Sequence, residues 1–167
     1  MPNNKRWGVL YCPKHELLSP KRRWEKIEKS LKANGVEYDF VQSESSAGVD
    51  RLVKMMINNG YKTIVIVGGD SALNDAVNCL MQIDRRERDE ITLGIIPNGL
   101  MNDFAHFWGF REGDYDQTIK WLKQRRVRRI DLGCIRYNNK HGDACRRYFL
   151  NCINIGLIAA IMNLRRQ

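Results

Sequence analysis

Residues 63–70 read Thr-Ile-Val-Ile-Val-Gly-Gly-Asp, and this stretch decides the fold. Five β-branched residues in succession, Thr63 to Val67, predict a strand that is buried on both faces, because no charged side chain alternates with the apolar ones. Gly68-Gly69-Asp70 then predicts a tight turn into a helix. The apolar residues of that helix lie on one side: Leu73, Val77 and Leu80. A buried strand that leads directly into a helix is typical of an α/β domain.

The same alternation of strand and helix continues on both sides of this stretch. Further strands are predicted at Trp7 to Cys12, Tyr38 to Gln42 and Ile91 to Ile96, the last ended by Pro97. Further helices are predicted from Pro20, with Ser19 as N-cap, to Asn34-Gly35, from Val49 to Gly60, at Phe104 to Phe107 and from Asp114 to Arg125. The sequence therefore predicts a Rossmann-like, three-layer α/β domain with a largely parallel sheet over residues 1–127.

The pattern changes after residue 127. Arg128 to Tyr137 and Arg146 to Ile155 predict two strands, and Asn138 to Asp143 predicts the turn that joins them. We expect this hairpin to begin a second, β-rich domain over residues 128–167. Since two strands cannot bury a core of their own, the hairpin either packs on the first domain or belongs to a domain that is truncated in this chain.

The chain carries a formal net charge of +9, concentrated in short arginine and lysine clusters. Such a charge attracts nucleotide phosphates, anionic lipids or nucleic acids. No nucleic-acid partner is expected, because no helix-turn-helix, zinc-finger or RNA-binding signature is present. The longest apolar run near the C-terminus, Ile153 to Met162, is too short to span a membrane. Five scattered cysteines without a CxxC motif predict reduced thiols in a cytoplasmic protein.

The turn after the central strand carries the first candidate site. Gly68 and Gly69 allow a phosphate to approach the backbone closely, and the amides at the start of the next helix complement its charge. Asp70 suits this place if it faces a cation such as Mg²⁺ or orients a hydroxyl group. A plain glycine turn with Asp70 as a helix N-cap explains the same tripeptide equally well.

A second turn repeats this geometry after the next strand. Residues 97–103 read Pro-Asn-Gly-Leu-Met-Asn-Asp, with the polar pair Asn102 and Asp103 where a helix should start. Because the carboxyl ends of parallel strands meet at the same edge of a sheet, the two turns are expected to form two walls of one cleft.

These residues resemble a known family. Gly68 to Asn78 resembles the GGDGTxNEVxNG signature of diacylglycerol kinases, sphingosine kinases and their bacterial lipid-kinase relatives, and Pro97 to Ala105 resembles their PxGTxNDFA segment. Ile130 to Gly133 and Phe149 to Gly156 resemble the beginning of the family's β-rich second domain. The resemblance implies transfer of the ATP γ-phosphate to a lipid hydroxyl with Mg²⁺, in a cytoplasmic protein that works at the inner membrane surface.

By this resemblance, Asp70 and Asp75 are the candidate catalytic residues, and Asp70 is also the candidate metal ligand. The residues expected to bind the nucleotide are Gly68, Gly69, Ser71, Asn74, Pro97, Gly99, Asn102 and Asp103. The family places its general base and further carboxylates in the second domain, so we expect this 167-residue chain not to phosphorylate a lipid by itself. The sequence leaves open which lipid is used and whether the protein forms a homodimer.

The chain departs from the family pattern at several positions. Ser71 and Ala72 replace a glycine and a threonine, and Leu100 replaces the threonine of the second motif. Asp75 replaces a glutamate, and Cys12-Pro13 stands where relatives carry an Asn-Pro turn. These changes favour one alternative, a catalytically impaired nucleotide-binding pseudokinase. A second alternative is phosphorylation of a soluble acceptor such as NAD, since NAD kinases share the Gly-Gly-Asp turn.

Overall fold

The computed structural model describes residues 6–13, 20–43, 48–124 and 126–152. The chain divides into two compact units, Met1–Ile130 and Asp131–Gln167. The predicted N-cap Ser19, the predicted helix end Arg125 and the apolar run from Ile153 lie outside the described residues. The sequence analysis placed the domain boundary after residue 127.

A four-stranded parallel sheet forms the centre of the first unit. Its strands are β1 (Trp7–Tyr11), β2 (Tyr38–Gln42), β3 (Thr63–Gly68) and β4 (Thr92–Pro97), in the order β2-β1-β3-β4. Strand β3 lies between β1 and β4, and its residues from Ile64 to Gly68 are all buried, as the β-branched run predicted. The predicted α/β class with a parallel sheet is confirmed.

The helices of the first unit follow these strands. Their bounds are α1 (Pro20–Ala33), α2 (Val49–Asn58), α3 (Asp70–Leu80), α4 (Arg85–Asp89), α5 (Asp103–Phe107) and α6 (Tyr115–Lys123). Helix α1 ends where predicted, because Gly35 takes a positive φ of 60° that other residues rarely adopt. Helix α4 was not predicted, since it has no buried residue and so no apolar periodicity. Within the described ranges, no helix is both long and apolar enough to cross a bilayer.

The helices cover both faces of the sheet, which gives the predicted three layers. Helices α1 and α6 pack together on one face, and α2 packs with α3 and against β1 on the other. The core under α1 and α6 contains Trp7, Val9, Tyr11, Ile27, Leu31, Val65, Val67, Ile96, Tyr115 and Ile119. On the opposite face, Gly8 of β1 lies against Met56 of α2. The alternation of side chains along each strand thus divides the apolar residues between two helical layers.

The second unit contains an antiparallel hairpin of β5 (Gly133–Asn138) and β6 (Ala144–Phe149). The hairpin was predicted, but its strand bounds were wrong: β5 starts five residues later than Arg128, and β6 starts two residues earlier than Arg146. The turn is tighter than predicted because the Asn139 side chain accepts hydrogen bonds from His141 N at 2.9 Å and Asp143 N at 3.0 Å. Residues 153–155, the predicted end of the second strand, lie outside the described residues.

Candidate functional site

The two turns singled out in the sequence lie side by side at the carboxyl edge of the sheet. Gly68 of β3 pairs with Pro97 of β4, and the Asn98 amide donates a hydrogen bond to the Gly68 carbonyl at 2.9 Å. Both strands therefore end together, and the chain leaves each of them in a glycine-bearing turn. This edge is where open α/β sheets bind their ligands.

The backbones of the two turns touch. A Cβ atom built on Gly69 would lie 2.7 Å from the Gly99 Cα, and one built on Gly99 would lie 2.2 Å from the Gly69 Cα. Only glycine fits at either position without moving the backbone of the other turn. The Gly69 and Gly99 pair therefore fixes the spacing of the two turns. The sequence analysis had explained Gly69 by the close approach of a phosphate.

Asn102 holds the second turn closed. Its side-chain oxygen accepts from Gly99 N at 2.7 Å, and its side-chain nitrogen donates to Gly99 O at 2.9 Å. The residue is only 2% exposed and has a φ of 54°, a left-handed conformation that asparagine tolerates better than most side chains. The side-chain amide of Asn102 is therefore occupied by the backbone of Gly99, so Asn102 shapes the turn. The backbone amide of Gly99 is likewise already hydrogen bonded.

Asp70 reaches across from the first turn to the helix that follows the second. Its carboxylate oxygens accept from Asp103 N at 2.8 Å and from Phe104 N at 3.0 Å. These are amides of the first turn of α5, whose own N-cap residue, Asn102, makes no side-chain cap bond. Asp70 therefore caps a helix, which was one of the two interpretations of the sequence. The helix that it caps is α5 and not its own helix, α3.

The start of α3 points its uncapped amides into the same edge. The N-cap residue Gly69 has no side chain to satisfy them, and Ser71 is exposed one residue into the helix. An uncapped helix N-terminus of this length complements an anion such as a phosphate. Within the part of the chain that the structure describes, no group of three or more His, Cys, Asp or Glu side chains could hold a metal ion.

Asp75 and Asn74 lie one turn further along α3, and Asp75 is near Cys12 at the end of β1. The Cys12 amide at the end of β1 donates to Val67 O at 2.8 Å, which brings Cys12 beside Gly68. Burial raises the pKa of the Cys12 thiol to about 12, and the nearby Asp75 carboxylate raises it in the same direction. The Asn74 side-chain oxygen is buried without a hydrogen-bond partner. The predicted residues thus form one group near β4 and a second group near β1.

A polar network that the sequence analysis did not assign supports the second turn from α1. Arg23 donates to the Asn98 side-chain oxygen at 3.3 Å and forms an ion pair with Glu112, also at 3.3 Å. Asn98 is 1% exposed and donates in turn to Cys12 O, also at 3.3 Å. The signal was present in the sequence, because Arg23 precedes the buried Ile27 by one helical turn and so faces inward.

The hairpin unit has an open cavity of its own, with a volume of about 490 Å³. It is lined by Arg136, Tyr137, Asn138, Ala144, Cys145 and Arg146. None of these residues was a candidate in the sequence analysis. Its walls are the faces of two strands, with no glycine turn and no helix N-terminus among them, so we assign the candidate site to the sheet edge of the first unit.

Comparisons with known proteins identify the family of the chain. Residues 6–135 match the family described as Diacylglycerol kinase catalytic domain. The chain is 36% identical over 132 residues to a probable lipid kinase YegS-like of Shewanella frigidimarina, which covers 79% of this chain and 39% of that protein. It is 26% identical over 129 residues to the diacylglycerol kinase of Bacillus subtilis, with coverages of 77% and 41%. The chain spans about half or less of the length of the curated relatives it matches.

A solved structure gives the same fold. A diacylglycerol kinase from Bacillus anthracis str. Sterne superimposes with a TM-score of 0.68 at 20% sequence identity, over 88% of this chain and 46% of that chain. At this identity the likeness supports the arrangement of strands and helices.

Proposed function

Since the chain belongs to the diacylglycerol kinase catalytic domain family, we propose that it is the nucleotide-binding part of an ATP-dependent lipid kinase. The reaction is transfer of the ATP γ-phosphate to a lipid hydroxyl, with residues 1–127 as the nucleotide-binding domain and residues 128–167 as the start of a β-rich second domain. The observation that carries the proposal is the contact between the turns at Gly69 and Gly99, which places the start of α3 beside the second motif.

The proposed phosphate site is the N-terminus of α3. Its uncapped amides, the turn at Gly68 and Gly69, and the exposed Ser71 hydroxyl supply hydrogen-bond donors to an anion. The opposite wall, Pro97 to Asp103, is held in place by Asn102 and by Asp70. Asn74, whose buried oxygen has no partner, and Asp75 are proposed to shape the cleft on its β1 side.

Mg²⁺ is the proposed cofactor, and Asp70 is the residue that could contact it. Each carboxylate oxygen of Asp70 retains acceptor capacity after accepting one amide hydrogen bond. Mg²⁺ is commonly held by one or two carboxylates together with substrate phosphates, and such a site needs no cage of protein ligands. When bound, it would neutralise charge on the transferred phosphate. Asp70 is thus proposed to orient α5 and to face the metal.

The acceptor is proposed to be a lipid at a membrane surface, which places the protein in the cytoplasm or at the inner face of the membrane. A lipid acceptor is supported by the two relatives described above, a diacylglycerol kinase and a probable lipid kinase. Comparing diacylglycerol in vesicles with NAD as acceptors for the full-length protein tests this. Phosphate transfer to NAD alone would replace the lipid kinase with the soluble-acceptor alternative.

The pseudokinase alternative is favoured by one specific observation. Ala72 is 8% exposed, and its Cβ lies 3.0 Å from the position that a Cβ on Gly68 would take, so this position offers a buried methyl group where the family motif has a hydroxyl. Restoring the family residues with Ser71→Gly and Ala72→Thr in the full-length protein distinguishes an active lipid kinase from a pseudokinase. Activity that appears only in the restored protein would identify the natural one as impaired.

Nucleotide binding is tested on the 167-residue chain by calorimetry with Mg-ATP. Ser71→Glu adds a negative charge at the start of α3 and should weaken binding about tenfold. Gln82→Glu is the matched control, because it adds the same charge at an exposed position just beyond the other end of α3. Equal affinities in the two variants would overturn the proposed phosphate site.

A further inference from the structure

The most exposed large apolar side chains are not scattered. Among the described residues, four exceed half exposure: Leu100 at 65%, Met101 at 58%, Phe107 at 80% and Val127 at 61%. We refer to these four as the apolar patch. Three of them belong to the second turn and α5, and the fourth belongs to the segment after α6. An exposed group of this kind, beside a candidate site, indicates an interaction surface.

The two segments meet through an aromatic group. The Phe107 and Trp108 rings lie 5.2 Å apart, and the guanidinium of Arg128 lies over the Trp108 ring at 5.8 Å from its centroid. Arg128 therefore connects the segment that carries Val127 to the end of α5. Phe107, Trp108 and Arg128 thus bring aromatic and cationic groups together, and Leu100 and Met101 lie in the turn that precedes the same helix.

The backbone under this surface is fixed. Asn102 closes the turn that carries Leu100 and Met101 through two hydrogen bonds to Gly99, and Asp70 caps the helix that carries Phe107. The backbone that carries Leu100, Met101 and Phe107 is thus held by the same contacts that shape the candidate site.

The segment that carries Val127 is rich in arginine. Arg111, Arg126, Arg128 and Arg129 are exposed, although Arg129 lies 3.7 Å from Asp89 and is partly neutralised. The carboxylates nearest in sequence are Asp103, Glu112, Asp114 and Asp131, of which Glu112 is paired with Arg23. Exposed aliphatic and aromatic side chains with arginines beside them are the combination that favours the boundary between lipid headgroups and acyl chains.

We propose that the apolar patch inserts into the headgroup region of a membrane that contains anionic lipids, with Arg126 and Arg128 contacting the headgroups. The patch adjoins Asn102 and Asp103, so insertion would bring the second turn of the site to the bilayer surface. This also accounts for Leu100, whose exposed apolar side chain replaces a threonine hydroxyl of the family motif. The inference rests on the proposed function, because a lipid kinase must bind its lipid acceptor near the carboxyl edge of the sheet.

The test is vesicle co-sedimentation of the 167-residue chain, which requires no catalysis. Vesicles of phosphatidylcholine with phosphatidylglycerol are compared with phosphatidylcholine alone. Phe107→Ser should lower the partition coefficient on the anionic vesicles about tenfold, since it removes one inserted side chain. Arg128→Gln should lower it about fivefold, and only when phosphatidylglycerol is present.

The matched control is Met55→Ser. Met55 is an exposed apolar residue, 39% exposed on α2, and lies outside the patch. Its replacement should leave vesicle binding unchanged. Because Phe107 and Arg128 are largely exposed, their variants should melt at the temperature of the unchanged protein.

Three results would overturn the inference. The first is no binding of the unchanged chain to either vesicle, and the second is equal binding by the Phe107→Ser and Met55→Ser variants. The third is a dimer that Phe107→Ser dissociates while vesicle binding stays the same, which would assign the patch to a second copy. Mg-ATP affinity is measured on the same proteins: vesicle binding without ATP binding would overturn the proposed function and leave this inference standing.

Discussion

At the scale of single residues, the contact between Gly69 and Gly99 leaves no room for a side chain at either position. Gly99→Ala would place a methyl group 2.2 Å from the Gly69 Cα and 2.8 Å from the Asn102 side-chain oxygen. Since neither neighbour is the end of a flexible side chain, we expect a loss of about 3 kcal/mol in the free energy of unfolding, measured with urea. Gly48→Ala, whose new methyl group would meet only Ser43 Oγ at 3.6 Å, should cost less than about 1 kcal/mol. Equal costs would contradict the close contact.

Cys12 gives a prediction about pH. Its pKa is raised from 9.0 to about 12, chiefly by burial. The thiol therefore stabilises the fold below pH 9, and this contribution is lost as the pH rises from 9 towards 12. At pH 8, alkylation followed by mass spectrometry should modify the exposed Cys134 much faster than Cys12. Equal rates in the folded protein would show that Cys12 is neither buried nor held as the thiol.

Sequence reasoning identified most residues of the site but not what each one does. The glycines and Asp70 could be found because they follow a buried strand, and Asn102 because it stands where a helix should start. That Asp70 caps α5 could not be predicted, because the cap joins residues 33 and 34 positions apart. The helical pattern indicated that Arg23 faces inward, but its partners Asn98 and Glu112 could not be predicted because they are distant in sequence.

At the scale of the element, helices α5 and α1 each contact the candidate site through one side chain, Asp70 and Arg23, and each contact can be tested by substitution. Asp70→Ala removes both acceptors from the first turn of α5, which should cost about 1 kcal/mol of unfolding free energy and speed amide exchange at Phe104. Asp114→Ala is the control, because Asp114 is the N-cap residue of α6 and makes no side-chain cap bond. Unchanged stability and exchange in the Asp70 variant would show that Asp70 is not a structural cap.

Helix α1 is joined to the second turn by Arg23, whose side chain is 12% exposed. Arg23→Met leaves Asn98 and Glu112 without this partner and should lower the unfolding free energy by about 2 kcal/mol. The neighbouring Arg22→Met, at an exposed position, should have little effect. If both variants unfold alike in a urea titration, the network does not support the turn.

The accuracy of the element predictions followed the strength of the apolar pattern. Strand β3 was predicted to within one residue, because burial in a parallel sheet demands continuous apolar or β-branched residues. Strand β2 is an exception, since it was predicted at its observed bounds although none of its residues is fully buried. Helix α4 carries no buried side chain and was missed. The hairpin strands are half exposed and rich in arginine, so their bounds depend on the Asn139 turn, which the pattern of hydrophobic residues does not encode.

At the scale of the whole molecule, the sheet order β2-β1-β3-β4 places three strand ends together at one edge. The ends of β3 and β4 carry the two glycine turns, and the end of β1 carries Cys12 beside Asp75. The alternation of strands and helices along the sequence predicted the class of fold. The order of the strands in the sheet could not be predicted, because it depends on tertiary contacts. We propose this edge as the nucleotide site.

The most direct test of that claim is an NMR titration of the ¹⁵N-labelled chain with Mg-ATP, followed at each backbone amide. The account predicts shifts concentrated at Gly69, Asp70 and Ser71 and in the turn from Gly99 to Asn102, with the hairpin amides unchanged. Shifts centred on the hairpin cavity between Arg136 and Arg146, or none at saturating nucleotide, would contradict it.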